Sequence, residues 1–106
     1  TTDTEPSALE SWSVRADGRF HLDASVPTPG PVWLIQDHAE LLAASTSAGD
    51  VLMYDLTTPV LGQPIGVNRV GCVYGFDLRA AVGSIADGLW IPRGWLGVWH
   101  VPVGGL

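Results

Sequence analysis

Trp12-Ser13-Val14-Arg15-Ala16-Asp17-Gly18-Arg19-Phe20-His21-Leu22-Asp23 reads as a β-hairpin, and its register decides how the rest of the chain is understood. With Ala16-Asp17-Gly18 as a three-residue loop and Gly18 in the left-handed conformation, Arg15 opposes Arg19, Val14 opposes Phe20 and Trp12 opposes Leu22. That register gathers Trp12, Val14, Phe20 and Leu22 on one face and leaves Ser13, Arg15, Arg19, His21 and Asp23 on the other. A two-residue loop would split the apolar set across both faces, so the three-residue loop is preferred. Arg15 facing Arg19 is a small cost, offset by Asp17 and Asp23 nearby.

Working outward, the tripeptide Trp12-Ser13-Val14 returns as Tyr54-Asp55-Leu56 and Trp99-His100-Val101, at spacings of 42 and 45 residues. Each closes an apolar run that reads as a strand. Val32-x-x-Ile35 aligns with Val70-x-x-Val73, and Ser45 and Gly49 align with Ser84 and Gly88. Gly94 precedes His100 as Gly49 precedes Asp55, with an insertion at Leu89–Arg93 in the second copy. The reading is an all-β fold, a small antiparallel barrel or sandwich built from two similar halves. Residues 1–7 form a flexible acidic arm and residues 8–106 a single β domain.

Pro27–Pro31 is a turn, because proline cannot donate within a central strand. Val32–Gln36, Val51–Thr57, Val67–Phe76 and Trp95–Val103 read as strands, the last with both faces covered. Asp37–Ala48 is open to two readings. Asp37 with Glu40 resembles a capping box and Leu41-Leu42-Ala43-Ala44 favours helix, whereas the repeat places Asp37-His38 at a turn and Leu41–Ser45 in a strand that pairs back. Strand is preferred there. Asp77–Ala86 poses the same choice, with Leu78, Ala81, Val82 and Ile85 at helical spacing.

Two resemblances follow from these residues. Leu41-Leu42-Ala43-Ala44-Ser45 through Gly49-Asp50-Val51-Leu52-Met53-Tyr54-Asp55-Leu56 resembles the inner strands of a WD40 propeller blade, and a period of about 40 to 45 residues suits such blades. A closed ring needs about four blades, more than this length holds. Gly49-Asp50-Val51-Leu52-Met53-Tyr54-Asp55 followed by Pro59 is similar to the Gly-Asp turn and strand in cupin-like sensor domains of AraC-type regulators. Metal cupins carry a His-x-His pair that this chain lacks, and no helix-turn-helix region follows. Both resemblances imply a compact antiparallel β body.

Composition narrows the functional classes. Apolar residues make up 46% and charged residues 15% of the 106 positions, so much of the surface is apolar or hidden between subunits, and a homo-oligomer is expected. Eleven acidic residues against five arginines and no lysine give a net charge of −6. This repels phosphate backbones and anionic lipid, disfavouring nucleic-acid and membrane partners. The missing lysine fits the codon usage of a GC-rich bacterial-like source. Cys72 is the single cysteine, and with no stretch of membrane-spanning length and a polar, acidic start the expected location is cytoplasmic.

Candidate chemistry is sparse. His21, His38 and His100 show no metal-ligand spacing, and no metal or cofactor is expected. His21 reads as solvated and His38 as an exposed turn residue. His100 alternates with Leu96 and Val98, which would aim it into an apolar cavity or a subunit contact. Asp55 shares a strand face with Val51 and Met53; a carboxylate there is either a structural hydrogen-bond acceptor or a general acid or base with a raised pKa. Asp77 reads as a cap and Cys72 as an inert buried thiol. Trp90, Trp95 and Trp99 crowd one end and, with Tyr54, could stack on a flat apolar or aromatic ligand, or pack the core. Two functions follow. One is a non-catalytic ligand-binding or assembly module acting as a homo-oligomer; the other is a cofactor-free isomerase or cyclase using His100 and Asp55.

Overall fold

A computed structural model describes residues 7–69, 81–92 and 97–104. Every regular element among them is a β-strand: β1 (Ala8–Val14), β2 (Phe20–Pro27), β3 (Val32–His38), β4 (Leu41–Thr46), β5 (Asp50–Asp55), β6 (Gly66–Arg69), β7 (Val82–Ser84), β8 (Gly88–Pro92) and β9 (Val98–Val101). All pairings are antiparallel. They build a two-stranded ribbon β1-β2, a four-stranded meander β3-β4-β5-β6 and a three-stranded sheet β7-β8-β9. The all-β expectation holds in its sandwich form, since no sheet among the described residues closes into a barrel.

The meander is the middle layer. Leu41, Ala43, Val51 and Met53 on one of its faces pack with Leu89, Ile91 and Val101 of the three-stranded sheet and with Ala81 just before it. Ala44, Leu52 and Tyr54 on the opposite face pack with Leu9 and Val26 of the ribbon. Because β4 and β5 are covered on both sides, their sequences are continuous apolar runs without polar alternation. That explains how Leu41-Leu42-Ala43-Ala44, good helix formers, come to lie in a strand: burial of both faces outweighs a few tenths of a kcal/mol of propensity per residue.

The first hairpin has the expected register: Val14 opposes Phe20 and Trp12 opposes Leu22. The Arg15 amide donates to Arg19 O, the Gly18 amide donates to Arg15 O, and Gly18 has φ 85°. Beyond Trp12 the register shifts. Ser11 opposes Ala24, so Asp23 is an extra residue in β2, a β-bulge. The bulge turns Ala24 and Val26 to the face of Ser11 and Leu9, and leaves Leu22 and Phe20 on the other face with Trp12 and Val14.

The aligned glycines Gly49 and Gly88 both sit in tight turns of positive φ, but the hydroxyl contacts beside them fall at positions the repeat does not align. Gly49 and Gly88 have φ of 90° and 81°. The Asp50 amide donates to Thr46 Oγ1 over 3.2 Å, and the Asp87 amide to Ser84 Oγ over 3.1 Å. Several details differ from the sequence reading. Leu89–Arg93 was read as an insertion, yet residues 88–92 are strand β8, the centre of its sheet, because Leu89 and Ile91 supply core. Asp37 and His38 end β3, and the turn falls on Ala39-Glu40, where Ala39 adopts φ 56°. The closing strand is covered on one face only, with Val98 and His100 exposed on the other. The possible helix at Asp77–Ala86 resolves as strand at Val82–Ser84; residues 77–80, the arm at 1–6, Cys72 and Trp95 lie outside the described residues.

Candidate functional site

Two surfaces carry the features that could meet another molecule. The first is the outer face of the β7-β8-β9 sheet. Register places Val82 opposite Trp90 and Trp90 opposite His100, so the three side chains form one row across the sheet. The Trp90 and His100 rings stack with centroids 4.1 Å apart and planes 20° from parallel. His100 Nε2 lies 2.6 Å from Asp87 O. A carbonyl oxygen only accepts, so Nε2 carries the proton and Nδ1 is the acceptor of the neutral ring. Val82, Gly83, Ser84, Asp87 and Trp90 line an open depression of about 230 Å³ beside the row.

The other sequence candidates are dispersed. His100 is exposed on the sheet's outer face; the apolar cavity expected around it is not where the strand alternation takes it, because Trp99 and Val101 occupy the core side. Asp55 belongs to the meander, on the face of Met53 as expected. Its Oδ1 accepts from the Thr57 amide at 2.8 Å and from Thr57 Oγ1 at 2.5 Å. These bonds favour the charged carboxylate and hold it below the usual carboxylate range, the reverse of the shift a proton donor at neutral pH requires. Asp55 and His100 thus sit in separate sheets, each held by local partners. Tyr54 is completely buried in the core between ribbon and meander, and burial raises its phenol above the ordinary value. Trp99 packs against the other core. His38, read as exposed, is buried because the register puts it beside Leu41 on the core face. His21 Nδ1 lies 2.9 Å from Asp23 Oδ1 on the half-exposed polar side of the hairpin.

The second surface was not picked out by sequence. Trp12, Val14, Phe20 and Leu22 share one hairpin face as expected, but that face points to water: they are 52%, 65%, 73% and 41% exposed, whereas Leu9 and Val26 are 7% and 3% exposed. Trp12 Nε1 donates to Glu10 Oε1 over 3.1 Å on the same outer face. On the inner face Ser13 Oγ donates to Asp23 Oδ1 over 3.2 Å, and these bonds lower the Asp23 pKa, with His21 the larger contributor. The signal was present in the spacing. Leu9 lies an odd number of residues from Trp12, so a regular strand must send one of them outward. Trp33, at the β3 bulge, and Ile35 are further exposed apolar groups.

A cleft of about 220 Å³ lies between ribbon and meander, lined by Glu10, Ser11, Leu42, Asp55, Leu56 and Thr58 among others. Among the described residues no helix is long and apolar enough to cross a membrane, and no group of three or more His, Cys, Asp or Glu side chains converges as a metal site would require. No family model matches the chain, and no curated protein or solved structure matches it either.

Proposed function

We propose that this chain is a non-catalytic β module that works by assembly, as a homo-oligomer. The observation that carries the reading is the outward-facing quartet of Trp12, Val14, Phe20 and Leu22. Two aromatic and two aliphatic side chains on one ribbon face form the kind of contiguous apolar patch that marks an interaction surface. The separation of Asp55 from His100, and the depressed pKa of Asp55, weigh against the isomerase or cyclase alternative. Sedimentation equilibrium over about 5 to 500 μM tests the reading. Expected is a mass that rises with concentration towards a multiple of the 11.2 kDa chain. A monomer throughout that range contradicts it.

A second reading rests on the Trp90–His100 stack, which presents a flat aromatic edge, and a His100 Nδ1 without a partner among the described residues, beside an open depression. That supports capture of a small aromatic ligand with a hydrogen-bond donor. Indole or phenol titrated into the protein should then perturb Trp90 fluorescence saturably, and Trp90→Phe should remove the response. A linear, unsaturable change contradicts this reading.

A further inference from the structure

We infer that the depression beside Trp90 binds a small planar organic cation, an aromatic ring carrying an amidinium or ammonium group; this rests on the Trp90–His100 reading above and adds the sign of the ligand's charge to it. Three observations support it. First, the two sides of the indole have different neighbours. In the row Val82–Trp90–His100 the imidazole comes from β9 and stacks on one side of Trp90, centroids 4.1 Å apart. Val82, Gly83 and Ser84 of β7 and Asp87 of the turn after it line the depression with Trp90, and His100 does not. The depression therefore opens against the side of the indole that His100 leaves bare, and Trp90 stays 43% exposed despite the stack. A tryptophan face attracts cations more strongly than any other side-chain ring and also stacks on flat aromatic groups.

Second, a counter-charge stands beside that bare face. Ser84 Oγ accepts from the Asp87 amide over 3.1 Å and donates to Asp87 Oδ2 over 3.4 Å. Asp87 Oδ1 has no hydrogen-bond partner, and the carboxylate no ion pair, among the described residues. An ionised carboxylate has about four acceptor positions, so most of this one's capacity is open to a donor from outside. The His100 Nε2 bond to Asp87 O, 2.6 Å, fastens the stacked imidazole to the same turn. Indole face and carboxylate are thereby held as one unit before any ligand arrives, which lowers the ordering cost of binding.

Third, sign and size agree. The five lining residues include one acid and no base, and the chain's net charge of −6 draws cations and repels anions. The volume of about 230 Å³ lies below the roughly 300–1,000 Å³ of pockets for drug-sized ligands, so it suits a single ring with a short charged arm. Because the depression is open and the ligand small, the dissociation constant is on the order of a millimolar.

Benzamidine and benzamide, nearly the same shape with and without the positive charge, test this by NMR titration of the indole signals. On the wild-type chain both should move the Trp90 signal saturably. Benzamidine should bind about three- to ten-fold more tightly at low salt, an advantage that shrinks as salt is added. Asp87→Asn should bring benzamidine down to the affinity of benzamide and leave benzamide unchanged, and Trp90→Leu, which also identifies the signal, should abolish binding of both. Circular dichroism checks that the variants fold; if Asp87→Asn does not, the two probes on the wild type at low and high salt decide the matter. Equal affinities for the two probes, or a benzamidine advantage that survives in Asp87→Asn, overturns the cation site while leaving the aromatic-ligand reading intact. A Trp90 signal that neither probe moves saturably overturns both.

Discussion

Leu9 and Val26 face each other across the β1-β2 ribbon, and they do so because Asp23 is an extra residue in β2. Were Asp23 paired regularly instead of bulged, Val26 would share a face with Leu22 and Phe20, and Leu9 would reach the core unaccompanied. The same bulge that builds one core contact turns the Trp12 face to water. Core and interaction surface are thus two outcomes of one irregularity.

Stability should divide sharply along the ribbon. Leu9→Ala removes a buried side chain packed against Ala44, Leu52 and Tyr54, at a cost of about 2–4 kcal/mol. Val14→Ala or Phe20→Ala, at exposed positions, should cost no more than about 0.5 kcal/mol in dilute solution. Urea denaturation at low micromolar concentration separates the two classes, and equal effects would show that the distal face is not exposed.

Acid should loosen the bulge. The hydrogen bonds from His21 and Ser13 lower the Asp23 pKa from its ordinary 3.8. A lowered folded-state pKa contributes stability that is present above the unfolded value and is lost as pH falls through the folded one. Amide signals of residues 20–25 should therefore change on acidification below about pH 4, and in Asp23→Asn that acid-linked change should disappear.

Tyr54 gives the opposite sign at alkaline pH. Its buried hydroxyl has no hydrogen-bond partner among the described residues, and desolvation raises its pKa above 10.0. Stability is full below the unfolded value and is lost as pH rises towards the folded one. Absorbance titration should show Tyr54 ionising later than a free phenol. Tyr54→Phe, which removes an unsatisfied buried group, should leave stability unchanged or raise it by up to about 1 kcal/mol; a loss beyond about 2 kcal/mol would reveal a partner for the hydroxyl.

Three turn positions should rank in order. Ala39 sits at φ 56° as the first of two loop residues joining His38 to Leu41, where glycine is preferred, so Ala39→Gly should be neutral or stabilising by up to about 1 kcal/mol. Gly18→Ala meets no neighbour but keeps φ 85°, and should cost about 1–2 kcal/mol. Gly88→Ala adds a collision with the backbone of Val101 and Pro102 and should be the most damaging of the three. Thermal melts of the set check the order.

The hairpin register was legible because only a three-residue loop at Ala16-Asp17-Gly18 gathers Trp12, Val14, Phe20 and Leu22 on one face. The matched turns at Gly49 and Gly88 were legible because a left-handed position calls for glycine. The bulge at Asp23 was not, since it answers to a tertiary demand, joining Val26 to Leu9 over the meander, that no local spacing encodes. His38 was misread for a related reason. The turn falls on Ala39, a residue with no preference for positive φ, so the strand runs on and carries His38 into the core. The candidate site fared unevenly: Trp90 and His100 lie together because both occupy outward positions of neighbouring strands, while burial removes Tyr54 from any surface.

The most direct test of an assembling hairpin face is a dilution series of amide and indole spectra of the wild-type chain by two-dimensional NMR. Expected are concentration-dependent shifts confined to Trp12, including its indole signal, and to Val14, Phe20 and Leu22, with the Leu9 and Val26 amides nearly still. Spectra that do not change on dilution, or shifts centred on Trp90 and His100 instead, would contradict it.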